Sequence, residues 1–151
     1  MYIERVTSYS QAILHAVMSD PDAITYALEP PCIGASHIYF LIKTGDEGEV
    51  AGYCDLHSID MLGRTAWTTI YIRKDARAGI VEANDVYKQL IKFAWDDLNL
   101  RKVYADNNSD VLSRWMEKSG WTREGRLVKA KFVDGKFVDQ NIFALFREGV
   151  E

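Results

Sequence analysis

The sequence predicts a mixed α/β fold in one domain over residues 1–151: a mostly antiparallel sheet of about seven strands flanked by about four helices. Three observations carry that expectation. Strand-like segments joined by short glycine turns fill residues 37–73, and connections this short make antiparallel neighbours. A long amphipathic stretch then leads from Arg73 to a further strand at Lys102, a crossover that makes a parallel pair. Near the end, Asp134-Gly135 divides two strand-like runs as a hairpin turn.

Residues 3–7 read as the first strand. Ser8 and Gln11 have capping-box spacing and open a helix with Ile13, Leu14, Val17 and Met18 on one face. Pro21 ends that helix and, after Asp20, is placed to start a second one over residues 23–28. Pro30-Pro31 then breaks the chain. Residues 37–43 form a continuous apolar strand, which Gly45-Asp46-Glu47-Gly48 turns into another at 50–59. Within the latter, Gly52 marks a bulge or a close backbone approach. Leu62-Gly63-Arg64 turns into residues 65–73, dense in Trp, Thr, Ile and Tyr. A long helix starts at Val81 or Asp85 and runs to Leu98. Its broad stripe of Val86, Leu90, Ile91, Phe93, Ala94, Trp95 and Leu98 suits a helix lying flat on the sheet. Residues 102–106 make a short strand. Ser109 caps a last helix, with Leu112, Trp115 and Met116 inward and Gly120 as its stop. Residues 126–133 and 136–146 pair as the closing hairpin.

A chain of this length buries roughly 70% of its unfolded surface. Its 48% apolar and 26% charged residues are ordinary for a soluble globular protein. The net charge of −4 argues against a nucleic-acid partner, although Arg73, Lys74 and Arg77 form a local basic cluster. No apolar run approaches the ~20 residues that span a bilayer. Met1-Tyr2-Ile3-Glu4-Arg5 lacks the layout of a signal peptide. Cys32 and Cys54 have no paired spacing, which argues against a disulfide framework or a cysteine zinc site. The expectation is a reduced, cytoplasmic protein off the membrane. No His/Cys/Asp spacing marks a metal site, and neither His15 nor His37 stands out as a ligand.

Several segments agree in order with one family. Residues 93–103, Phe-Ala-Trp-Asp-Asp-Leu-Asn-Leu-Arg-Lys-Val, give an aromatic helix end, a Leu-x-Leu and a basic-Val strand start. The run Ser113-Arg114-Trp115-Met116-Glu117-Lys118-Ser119-Gly120-Trp121 follows, then Arg123-Glu124-Gly125-Arg126-Leu127, Asp139 and a final Phe-Ala-Leu-Phe-Arg-Glu. This pattern resembles the GCN5-related N-acetyltransferase superfamily, most of all its ribosomal-protein N-terminal acetyltransferase branch. The likeness is good over residues 65–148 and rests on strand order alone before that.

The resemblance implies a GNAT-like fold, acetyl-CoA as cofactor, and an amine acceptor on a protein N-terminus or a small molecule. It places the cofactor on the strand end and turn made by Ile72, Arg73, Lys74, Arg77, Ala78, Gly79, Ile80, Val81, Glu82 and Ala83, with Asn108 and Ser113 from the later helix start. In the family this turn reads Arg/Gln-x-x-Gly-x-Gly/Ala, and backbone amides at a helix start hold the pyrophosphate. Here Ala78, Val81 and Ala83 occupy the three defining positions. A β-branched valine restricts phosphate approach, and Glu82 and Asp85 add negative charge. The competing reading is a solvated basic turn ahead of a helix capped by Asn84.

Amine acetylation needs a base for the amine and a donor for the developing oxyanion. Many relatives carry a glutamate on the strand entering the turn, and residues 65–72 hold no acid. Asp55 and His57, two apart on the neighbouring strand, share a face and are the candidate base and its partner. Two polar residues on a solvated face is the competing reading. The family's general-acid tyrosine falls on Met116, leaving Tyr71 and Tyr104 as substitutes that a plain core role explains equally well. Cys54 reads as a small core residue, so direct attack of the amine is expected. An interaction module of the same fold without catalysis is the alternative. A nucleic-acid-modifying relative is a third reading, opposed by the acidic balance. Trp67 is a candidate homodimer contact.

Overall fold

The structure is a computed structural model that describes residues 1–7, 11–18, 37–45, 48–76 and 80–150. Its strands are β1 (Tyr2–Arg5), β2 (Ile38–Thr44), β3 (Glu49–Asp60), β4 (Thr65–Ile72), β5 (Lys102–Asn107), β6 (Thr122–Val133) and β7 (Lys136–Phe146). The described helices are α1 (Gln11–Met18), α2 (Ile80–Asp96) and α3 (Asp110–Lys118), with a 3₁₀ turn over Lys74–Ala76. The second helix expected at residues 23–28 lies outside the described residues. All seven strands join one sheet in the order β1-β2-β3-β4-β5-β7-β6, and among them only β4 and β5 run parallel. The mixed sheet with its single parallel pair is the expected fold.

Two apolar layers hold the sheet. On one face, Val86, Leu90 and Ala94 of α2 are fully buried against Phe40, Ile42, Cys54, Leu56, Val103 and Phe143. Their i, i+4, i+8 spacing lays the helix flat, and burying each leucine-sized side chain contributes about 2 kcal/mol. On the other face, Leu14 and Val17 of α1 pack on Tyr39, Leu41, Tyr53 and Tyr71. The helix α3 begins as expected, Ser109 Oγ accepting the Leu112 N–H at 3.3 Å, and Gly120 follows its end at φ 89°.

Gly52 does both things its position suggested. Ile42 pairs with Gly52 and Lys43 with Val50, so Ala51 is an extra residue and β3 bulges there. A Cβ on Gly52 would also lie 2.0 Å from the Tyr71 carbonyl oxygen. A second irregularity falls just past His57, where Ser58 takes φ 48°. Bulges re-aim side chains, and these two bracket Tyr53 to His57.

At the far edge, the β6–β7 hairpin has its own plugged bulge. Lys129 takes φ 50°, its N–H donates to Asp139 Oδ1 at 2.8 Å, and Arg126 pairs with Oδ2 of the same carboxylate. The Lys129 N–H, then Arg126, holds the Asp139 pKa below its usual value. A depressed folded pKa stabilises above the unfolded value, about 3.9, and that stabilisation is lost as pH falls through the folded one. Asp139→Asn is therefore expected to lower hydrogen-exchange protection of the Lys129 amide at neutral pH. Protection equal to the wild type at about pH 6 would refute the plug.

Candidate active site

β4 and β5 part company halfway along. They pair only through Thr65–Lys102, Ala66–Val103 and Trp67–Tyr104, while β4 continues with β3 and β5 continues with β7. The Arg73 N–H donates to Ala51 O at 2.8 Å. Alternation along an antiparallel strand then turns the N–H and C=O of Ile70 and Ile72 the other way, into the gap. The closed end of this fork is fastened: Arg64 Nε donates to Asn99 O at 2.7 Å and Arg101 Nε to Gly63 O at 2.8 Å.

A cavity of about 110 Å³ lies in the fork, lined by Thr68, Thr69, Ile70 and Tyr87 on one side and by residues 106–109 and Gln140 on the other. It admits a narrow arm, not a whole nucleotide cofactor. Among the described residues, Gln140 Oε1 is the buried side-chain atom without a hydrogen-bond partner, while Gln140 Nε2 donates to Asp106. A buried lone acceptor in a cavity wall suits an entering N–H donor. Tyr87 is among the lining residues, and burial above all raises its pKa, so its hydroxyl stays protonated. Neither Tyr87 nor Gln140 carried a signal in the sequence: one sits in an apolar helix stripe, the other in a hairpin strand.

Asp55 and His57 come together as expected. Asp55 is 5% exposed, and its Oδ1 lies 3.1 Å from His57 Nδ1 and accepts the Thr69 N–H at 2.8 Å. Thr69 is thus shared by the pair and the cavity, two residues beyond the last β4–β5 pairing. The solvated-face reading does not describe Asp55, which is buried. His37, set aside in the sequence, joins them: its Nε2 is 3.9 Å from Asp55 Oδ2, and its ring stacks on His57 at 5.3 Å.

The remaining expected residues divide. Arg77, Ala78 and Gly79 lie outside the described residues, and for Ile80 and Val81 only the backbone is described. The helix begins at Ile80, which places Asn84 inside α2 instead of at its cap. Ile72 ends β4, Lys74 is exposed in the 3₁₀ turn, and Glu82 and Ala83 are half-buried in the first turns of α2. Arg73 pairs with Asp75 through Nε at 3.0 Å. Asn108 lines the cavity and adjoins a wider concavity of about 370 Å³ that Arg123 and Lys136 also line. Ser113 is turned inward: its Oγ donates to Asn107 Oδ1 at 3.0 Å and accepts from Asn141 at 3.3 Å, tying α3 to β5 and β7. Met116 is core, its sulfur accepting from Asn107. Tyr71 is buried with Tyr53, and Tyr104 stacks on Trp67 at 5.0 Å. Burial pushes the Cys54 thiol well up, which suits a core residue and not a nucleophile.

Comparison with solved structures gives the fold its relatives. A single-site variant of spermidine N-acetyltransferase SpeG from Vibrio cholerae superposes with a TM-score of 0.81 at 17% identity, covering 97% of this chain and 95% of that one. The same organism's enzyme in complex with CoA and spermine gives 0.79 at 17% identity, covering 96% and 94%. At this identity the likeness speaks to the fold, which is that of the GCN5-related N-acetyltransferases, and not to a branch within it. No protein-family model and no curated protein sequence matches the chain. No described helix is long and apolar enough to cross a membrane.

Proposed function

We propose that this protein is an acetyl-CoA-dependent N-acetyltransferase acting on an amine by direct attack. The observation that carries the reading is the β4–β5 fork, whose narrow cavity is lined by a buried unpaired acceptor and by Thr69, the residue whose N–H holds the Asp55–His57 pair. The cofactor suits this chain in three respects. Ile70 and Ile72 offer free-facing backbone, Gln140 Oε1 offers an acceptor for an amide N–H, and α2 starts at Ile80, its first N–H groups being those a phosphate would meet. Bound there, the cofactor would supply the activated acetyl thioester.

The chain's own residues supply the rest. His57 takes the proton of the attacking amine at an imidazole nitrogen, and buried Asp55, fixed by the Thr69 N–H, orients the ring. The protonated Tyr87 hydroxyl is the donor available to the departing thiolate, a role Met116 cannot fill. The solved relatives act on spermidine, which favours a small polyamine over a protein N-terminus as the acceptor. An acidic chain also attracts a polycation. A cytoplasmic location belongs to the same proposal, as does a homodimer, for which the exposed Val128, Phe132 and Phe137 of the hairpin offer an apolar surface.

Calorimetric titration with acetyl-CoA tests the reading. Saturable binding with an affinity between about 1 μM and 1 mM, the usual span for enzyme substrates, is expected. Gln140→Leu should weaken it, and turnover should be faster with spermidine than with an N-terminal peptide. No binding at millimolar ligand would overturn the enzyme reading and leave an interaction module of the same fold.

A further inference from the structure

The antiparallel register of β2 and β3 builds a three-residue cluster on the sheet face that carries α1. Ile38 pairs with Leu56 and Tyr39 with Asp55, so His37 stands across from His57 with Asp55 one pleat away. The ligand-capable atoms of His37, Asp55 and His57 all lie within 4.8 Å of one another. His37 Nε2 and His57 Nδ1 lie 3.9 and 3.1 Å from the two Asp55 carboxylate oxygens, Oδ2 and Oδ1, and the two rings stack at 5.3 Å. The carboxylate itself is anchored by the Thr69 N–H at 2.8 Å, the kind of outer contact that fixes a ligand's orientation. Side-chain exposures of 22% for His37 and 26% for His57, against 8% for Asp55, leave one side open.

From this arrangement we infer that His37, Asp55 and His57 bind a divalent transition-metal ion, with Zn²⁺ as the fitting member of the class. Two imidazoles and one carboxylate suit Zn²⁺ or its neighbours in the transition series and not Mg²⁺ or Ca²⁺, which take oxygen. Three protein ligands with one open side is the coordination of a site that keeps a water or an exchangeable ligand. Binding requires both imidazoles neutral at the coordinating nitrogen, so His57 exchanges its contact with Asp55 for the metal, and affinity falls as pH is lowered. Among the described residues no other cluster of three such side chains occurs.

Metal occupancy and base catalysis are then mutually exclusive at His57. That consequence rests on the proposed acetyl transfer; the binding itself does not. The test is calorimetry of untagged, chelator-stripped protein with ZnCl₂, alongside Co²⁺ titration read by visible absorption. One equivalent of Zn²⁺ should bind, with tetrahedral Co²⁺ bands. Outer contacts alone are worth about 10–100-fold in affinity. Losing a ligand in His37→Ala or His57→Ala should therefore weaken binding by about 100-fold or more, whereas Asp139→Asn in the β6–β7 hairpin should change nothing. A rise in melting temperature with Zn²⁺, present in the wild type and absent in His37→Gln, checks the site in a gentler variant. Affinity unchanged in both histidine variants, or no saturation below millimolar Zn²⁺, would overturn the site. Saturating Zn²⁺ that leaves turnover intact would keep the metal site and remove His57 as the base.

Discussion

His57→Ala is expected to lower kcat/KM for acetyl transfer by about 10²–10⁴-fold, the usual contribution of a positioned general base. In free energy that is roughly 3–5 kcal/mol of lost transition-state stabilisation. The loss should fall on kcat, because the imidazole acts on a proton in flight and not on the resting amine. Asp55→Asn should give a smaller drop. Its carbonyl can still accept the Thr69 N–H that now reaches Asp55 at 2.8 Å, while the charge that favours the imidazolium is gone. Steady-state kinetics in the presence of a chelator, so that metal does not compete, reads both. Near-normal rates in the two variants would eliminate the pair as base and partner and return Asp55 to a structural role.

The largest stability effect is expected at Gly52. Alanine there would bring a methyl group 2.0 Å from the Tyr71 carbonyl oxygen, backbone that cannot swing aside. Overpacking typically costs 1–3 kcal/mol, and a clash with main chain belongs at or above the top of that range, about 3 kcal/mol. For a domain of this size that lowers the melting temperature by roughly 6–12 °C. Thermal unfolding of Gly52→Ala checks it; a shift within about 2 °C would mean the bulge absorbs the methyl. The effect should extend to the site. Extended from the Lys43–Val50 pair without the extra residue at Ala51, the register would set His37 opposite Leu56. A one-residue slip exchanges sheet faces, so the bulge is what brings His37 beside His57. Weakened Zn²⁺ binding in any folded Gly52→Ala protein is the accompanying expectation.

Local chemistry made much of this protein legible. The hairpin strand over residues 136–146 was bounded correctly by Asp134-Gly135 and its alternation, and it is β7 (Lys136–Phe146). The long helix was legible from its stripe, yet its start was ambiguous between Val81 and Asp85; packing of Val86, Leu90 and Ala94 is indifferent to that choice, and the helix begins at Ile80. β6 starts at Thr122, four residues before the expected 126, because pairing with Ala144 and Phe143 recruits a segment with weak strand signals of its own. Asp55 and His57 were legible as a pair because strand period alone puts residues two apart on one face.

By itself, then, the sequence determined the order of the described elements, the glycine at the bulge and the Asp55–His57 pair. These depend on backbone period, turn geometry and side-chain identity, all of which act over a few residues. Only the tertiary structure decided that β4 and β5 separate after Trp67, that Tyr87 and Gln140 line the resulting cavity, that Ser113 turns inward, and that His37 completes the cluster. Each of those depends on cross-strand register or on helix-to-sheet packing. Such contacts join residues far apart in the chain, and their geometry exists only once the sheet has closed around its core.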